Sequence, residues 1–198
     1  EDKTVLLFFG QIKKVKGVGV LLKAFGELCE TRKDIFLVVA GSVWQDDFTP
    51  YQEIIDCYNL GSSNLKTVIR YISDEEVGYF YSASDIAVLP YLDVYQSGVI
   101  QLAYAYKKPT IATAIAPFME IVEDGVTGYL CEPNNVDSLV NAINRAIAAP
   151  EKYDALGNAG AMKVSKKYSH GLSRMAFSVH STAALTSFCC SFKTPIRL

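Results

Sequence analysis

Two stretches of this chain carry residues suited to holding an anion. The first is "GQIKKVKG", residues 10–17, which places Lys13, Lys14 and Lys16 between Gly10 and Gly17. The second is "YQSGVIQLAYAY", residues 95–106, in which Gln96, Ser97, Gly98 and Val99 stand ahead of an apolar, helix-like run. A lysine ammonium is a compact point charge that can neutralise a phosphate. A helix start offers backbone N–H groups without intrahelical partners, at the positive end of the helix dipole. Small residues there let a phosphate come close to those N–H groups. Phosphate binding is therefore the chemistry both stretches suit. Each also has a plain structural account: a solvated basic loop for the first, an N-cap and a turn for the second.

Other chemistries find less support. The two histidines, His170 and His180, fall in the last thirty residues. The body of the chain thus has no imidazole for general base work, nucleophile activation or metal ligation, and no metal site is expected. No His-Glu-x-x-His or Walker-type glycine-lysine motif occurs. Five cysteines, Cys29, Cys57, Cys131, Cys189 and Cys190, are odd in number and widely scattered, which speaks against a disulfide framework and for buried thiols in a reducing cytoplasm. Glu120 follows Pro117 near a helix start, where a carboxylate is either structural or an acceptor for sugar hydroxyls. Trp44, in "GSVWQDDFTPY", reads as a loop aromatic packing on the domain edge. Asp124-Gly125 and Gly128 carry turn chemistry.

The elements that must position these groups follow from periodicity. "TVLLFFG" (4–10), "DIFLVVAG" (34–41) and "SDIAVLP" (84–90) are short continuous apolar runs closed by Gly or Pro, and "LKTVIRYI" (65–72) is a weaker version. Such runs suggest strands buried on both faces. Between them lie helical patterns. "GVGVLLKAFGELCE" puts Val20, Leu21, Ala24, Phe25 and Leu28 on one side, and "YQEIIDCYNLG" repeats the pattern up to Gly61. "SDEEVGYFYSAS" opens with Ser73 and Glu76 at capping-box spacing. A strand after Pro109, a short helix in "FMEIVEDG", a strand in "TGYLCEP" and two helices over 135–150 and 151–169 complete the order. Alternation of this kind predicts an α/β fold: a Rossmann-like, doubly wound parallel sheet of about six strands. Ligands of such sheets bind outside the carboxyl ends of the strands. That puts Gly10 to Gly17, Gly41 and Ser42, Tyr71 to Ser73, Tyr91 to Gly98 and Thr113 to Glu120 on the binding side.

Composition bounds the rest. Half of the 198 residues are hydrophobic and a fifth are charged, enough for one domain with a core. A net charge of −2 gives no sign of nucleic acid as a partner. No apolar run approaches the ~20 residues of a bilayer span, and no signal peptide is evident. The chain opens on Glu1 rather than Met, directly before an apolar run, as a piece cut at a domain boundary would. Residues 1–168 read as one domain. The tail 169–198 has three basic residues, no acid and no core-facing pattern, and reads as an atypical terminus.

"LFFGQIKKVKGVGVLLKAF", "FLVVAGS", "VIRYISDEEVGYFYSASDIAVLPY", "QSGVIQLAYAYKKPTIAT" and "PFMEIVEDGVTGYLCEP" together, in this order, resemble the C-terminal half of glycosyltransferase family four, the retaining enzymes of GT-B fold. The resemblance covers residues from about 4 to 168. It implies the half-enzyme that binds a UDP- or GDP-linked sugar donor, without a further cofactor, while an N-terminal acceptor domain lies outside this chain. Acceptor sugars or lipid-linked glycans would then be partners through that missing domain, in bacterial polysaccharide or lipopolysaccharide synthesis. The implied location is cytoplasmic, at the inner face of the membrane if the full-length protein makes peripheral contact. The resemblance assigns catalytic roles to Lys16, on the donor diphosphate, and to Glu120, the glutamate of the "PE-V" turn. It assigns donor binding to Gly10, Gln11, Gly41, the backbone of Tyr71 and Ile72 at the base, Gln96, and the N–H groups of Ser97, Gly98 and Val99.

Two departures stand out. The family's arginine beside Gly10 is Gln11 here, which Lys13 or Lys14 would have to offset. The family's paired glutamates, spaced E-x7-E, fall on Val94 and Leu102, so the carboxylate that usually holds the ribose is missing. These departures support a competing reading, a degenerate or truncated nucleotide-binding module without catalysis. A dinucleotide oxidoreductase fits poorly, because the first strand ends without G-x-G-x-x-G. The fragment alone is expected to be inactive.

Overall fold

The computed structural model describes residues 3–45, 47–94 and 97–167. Six strands, β1 (Thr4–Phe9), β2 (Ile35–Ala40), β3 (Leu65–Val68), β4 (Ile86–Leu89), β5 (Thr110–Thr113) and β6 (Gly128–Cys131), form one sheet in the order β3-β2-β1-β4-β5-β6. Every pairing is parallel. The longest ladder runs from Thr4↔Ile35 to Phe9↔Ala40. Val5 to Phe8 and Ile86 to Leu89 are all buried, which is why these strands read as continuous apolar runs rather than alternating ones.

Among the described residues seven helices cover the sheet: α1 (Val18–Thr31), α2 (Thr49–Cys57), α3 (Asp74–Ala83), α4 (Gly98–Ala105), α5 (Ala116–Met119), α6 (Val136–Ile147) and α7 (Tyr153–Lys167). Helix α1 packs against α2 and α6, and α4 packs against α7. Tyr106, at the end of α4, stacks on Tyr81 of α3 with ring centroids 5.0 Å apart. The helix starts follow local chemistry. The Ser73–Glu76 capping box is present at α3, and the Asn135 side chain accepts from the Ser138 N–H at α6.

The expected fold class is thus the observed one, with local differences. The strand expected over 65–72 ends at Val68, because Arg70 and Tyr71 leave the ladder for a braced turn. The helix expected over 118–125 is the single turn α5, because Thr127 Oγ1 accepts from the Glu123 N–H and Gly125, at φ 75°, begins the run into β6. Of the cysteines in the described residues, Cys29 and Cys131 are buried but Cys57 is exposed at the end of α2. Trp44, expected to pack on the domain edge, is 46% exposed. Cys189, Cys190 and the whole tail 169–198 lie outside the described residues. Among the described residues no helix is long and apolar enough to cross a membrane.

Candidate functional site

The order reverses between β1 and β4, which pair at Leu6↔Ile86 and Leu7↔Ala87. Above these two strand ends the loop over 10–17 meets residues 90–92. The Leu92 N–H donates to the Val15 carbonyl at 2.8 Å. Gly17, at φ 67°, starts α1 so close to the second loop that a Cβ there would lie 1.9 Å from the Pro90 carbonyl oxygen. Only glycine closes this junction. On the other flank the first loop is held to the end of β2. Gly10 N–H donates to Ala40, Ile12 N–H donates to Ser42, and Gly41 packs onto the Gly10 carbonyl. A Cβ built on Gly10 would reach ordinary contact with Val99 Cγ2, at 3.4 Å. The switch point therefore sets the loop of Gly10 and Lys16 against Pro90, Tyr91 and Leu92, with Gly10 facing Val99 of α4.

At that helix start, Ser97 is buried and its Oγ has no hydrogen-bond partner. Gly98 is exposed, and a Cβ there would meet nothing within 4 Å. The first N–H groups of α4 thus face an open approach, with a buried hydroxyl beside them. Gln96 lies outside the described residues.

Lys16 is half-buried, and its ammonium sits 3.8 Å from the centroid of the Tyr91 ring. No carboxylate pairs with it among the described residues. Burial pulls its pKa below the ordinary lysine value, and the Lys13 charge adds to this. Tyr91 is itself buried. Its ring packs at a tilt on Phe118, with centroids 5.3 Å apart, and its carbonyl accepts from Thr113 Oγ1 at 2.6 Å. Burial holds its phenol far above the usual pKa, and nearby Ser97 acts in the opposite direction, although the two hydroxyls fall short of hydrogen-bond geometry. Gln11 is exposed. Lys13 turns away onto the Trp44 ring, 4.5 Å from its centroid, which ties two loops together.

Two strands from the switch point, the turn after β3 presents Tyr71 at 73% exposure while Ile72 is buried. Arg70 braces this turn. Its guanidinium donates to the Tyr71 carbonyl at 2.9 Å and to both oxygens of Glu76, at 2.9 and 2.5 Å. Arg70, and next the Ser73 N–H, hold the Glu76 carboxyl down to about 2. Glu120 lies at the end of α5, exposed and paired with Lys167 of α7. The structure thus gives Glu120 a lysine partner and places Lys16 on Tyr91, in the loop that leads towards α4.

Sequence reasoning singled out neither Tyr91 nor Arg70. A signal existed for each: an aromatic directly after a buried strand, and an arginine six residues before a capping-box glutamate.

Comparison with known proteins decides the family. The description "Glycosyl transferases group 1" matches residues 1–163. The chain belongs to the group 1 glycosyl transferases. The chain is 32% identical over 180 residues to the lipopolysaccharide 1,2-N-acetylglucosaminetransferase of Salmonella typhimurium, covering 84% of this chain and 45% of the relative. It therefore spans about half the length of such curated relatives. Its fold matches the C-terminal domain of a group 1 family glycosyl transferase from Francisella tularensis with a TM-score of 0.75 at 24% identity, over 84% of this chain and 87% of that one. HepE of Anabaena, solved with UDP and glucose, shares the fold with a TM-score of 0.75 at 22% identity, over 84% of this chain and 45% of that one.

Proposed function

We propose that residues 1–168 are the donor-binding, C-terminal half of a retaining glycosyltransferase of family four, with GT-B architecture. The substrate is a nucleoside-diphosphate sugar, and UDP is the first nucleotide to test, since a fold neighbour holds it. One observation carries the reading. At the switch point an unpaired lysine, an unpartnered buried hydroxyl and an open helix start lie on adjoining loops. Each of these would gain a partner from a diphosphate.

As the glycosidic bond to the donor phosphate breaks, the leaving diphosphate gains negative charge. Lys16 and the N–H groups of Ser97, Gly98 and Val99 are fixed donors for that charge, so they stabilise it without reorganisation. The base would sit at the braced turn of Tyr71 and Ile72. Glu120, exposed beside Lys167, would accept from the donor sugar. The acceptor would enter from a separate N-terminal half, in polysaccharide or lipopolysaccharide synthesis. The resemblance to a lipopolysaccharide transferase supports that setting. The full-length protein would work in the cytoplasm, in peripheral contact with the membrane.

Calorimetric titration of the chain with UDP, GDP and ADP tests this. Saturable binding of one nucleotide, weakened in Lys16→Ala by ~1.5–3 kcal/mol, is the expected result for a charge-assisted contact. A folded chain that binds none of them at millimolar concentration would leave the second reading, an interaction module without a donor. Gln11 and the apolar residues at 94 and 102 are the observations favouring that alternative.

A further inference from the structure

Among the described residues no carboxylate pairs with the half-buried Lys16. It rests on a π-face, and that face belongs to a residue 75 positions away on the other loop of the switch point. The ring cannot swing aside. It is buried, packed on Phe118, and its backbone is held by Thr113 Oγ1 and by the Leu92–Val15 bond one residue on. A carboxylate partner would neutralise the ammonium and compete with any incoming anion. A ring attracts the cation through its quadrupole and leaves the charge in place.

We propose that Tyr91 is the positioning residue of this site: its ring is the shelf that aims the Lys16 ammonium. The proposal rests on the donor-site reading above. Tyr91 touches no reacting atom. It acts through Lys16, and couples the loop after β1 to the loop after β4.

The test has two arms. In the first, lysines are reductively 13C-methylated and the Lys16 resonance is assigned by its loss in Lys16→Arg. A Lys16 signal shifted upfield by the ring, moving to the position of the other lysines in Tyr91→Leu, is expected. An unshifted signal in the wild-type chain overturns the proposal, and this arm needs no nucleotide. In the second arm UDP is titrated into the wild type, Lys16→Met, Tyr91→Leu, Tyr91→Phe and the double variants. Tyr91→Leu is expected to weaken binding about tenfold, the scale of one partly desolvated cation–π contact. It should add little on top of Lys16→Met. Tyr91→Phe keeps the ring and the fold. It should leave the Lys16 signal upfield and the UDP affinity close to that of the wild type. If the wild type binds UDP and Lys16→Met weakens it, but the Tyr91 losses are absent or simply multiply with the Lys16 loss, the proposal falls while the donor reading stands. If the folded wild type binds no nucleotide, the donor reading falls and takes the proposal with it.

Discussion

Gly98→Ala separates a glycine kept for packing from one kept for a ligand. Gly98 is the first residue of α4 and its backbone is not left-handed. A Cβ there would meet no atom within 4 Å. Alanine is therefore compatible with the fold, and Gly→Ala at a compatible site stabilises by ~0.4–1 kcal/mol through the unfolded state. For a domain of this size that is a rise of about 1–4 °C in Tm. The donor reading demands the opposite sign for binding. A methyl at the mouth of the helix start holds the diphosphate off at least one N–H group. Losing one charge-assisted hydrogen bond costs ~1.5–3 kcal/mol, a factor of about 10 to 150 in Kd. Thermal melts of the free chain and calorimetric titration with UDP read the two effects separately. A variant that is more stable and binds UDP as tightly as the wild type refutes the reasoning, because it shows that nothing approaches α4 closely at residue 98.

Three more outcomes follow from the same geometry. Lys16 has a folded-state pKa below the ordinary 10.5 and binds an anion only when charged. UDP affinity should therefore fall as pH rises past that lowered pKa, with the fall displaced to higher pH in Lys16→Arg. Gly17→Ala forces a left-handed alanine, which costs ~1–2 kcal/mol. It also drives a methyl into the Pro90 carbonyl, so urea unfolding should show a loss of at least ~2 kcal/mol, and an unchanged midpoint would contradict the tight junction. With Val94 and Leu102 at the glutamate positions, 2′-deoxy-UDP should bind within about twofold of UDP in parallel titrations, whereas a loss near tenfold would reveal a ribose acceptor.

Much of the scaffold was legible because it obeys one-dimensional rules. Val5–Phe8 and Ile86–Leu89 are buried on both faces, so their identity shows as unbroken apolar runs. The capping box at Ser73 and Glu76 is local, and it appears as spaced. Legibility fails where one local signal competes with another. The apolar pattern over 65–72 continues through Ile72, but β3 is an edge strand paired only with β2. The Arg70–Glu76 clamp takes over after Val68. Lys16, Ser97 and Gly98 could be flagged because strand ends are where a doubly wound sheet binds. Tyr91 could not be given its place under Lys16, nor Lys167 its place beside Glu120, because residues 75 and 47 positions apart meet only once the crossovers are built.

The missing acids and the Lys16–Tyr91 contact bear on each other. Val94 and Leu102, where the resemblance places glutamates, are partly buried and packed against the core, and the adjacent Ala103 is fully buried. A carboxylate at 102 would be partly desolvated, so its loss goes with an apolar α4 face rather than with a simple surface exchange. An acid near the switch point would also have offered Lys16 an ion-pair partner. Without one, the ammonium needs another means of support inside a half-buried crevice, and Tyr91 supplies a face that holds a cation and leaves it charged. On the donor reading, the site would depend on fixed positive charge at the diphosphate: one lysine on a ring, and the N–H groups at the start of α4. The diphosphate rather than the ribose would then be the main handle on the donor.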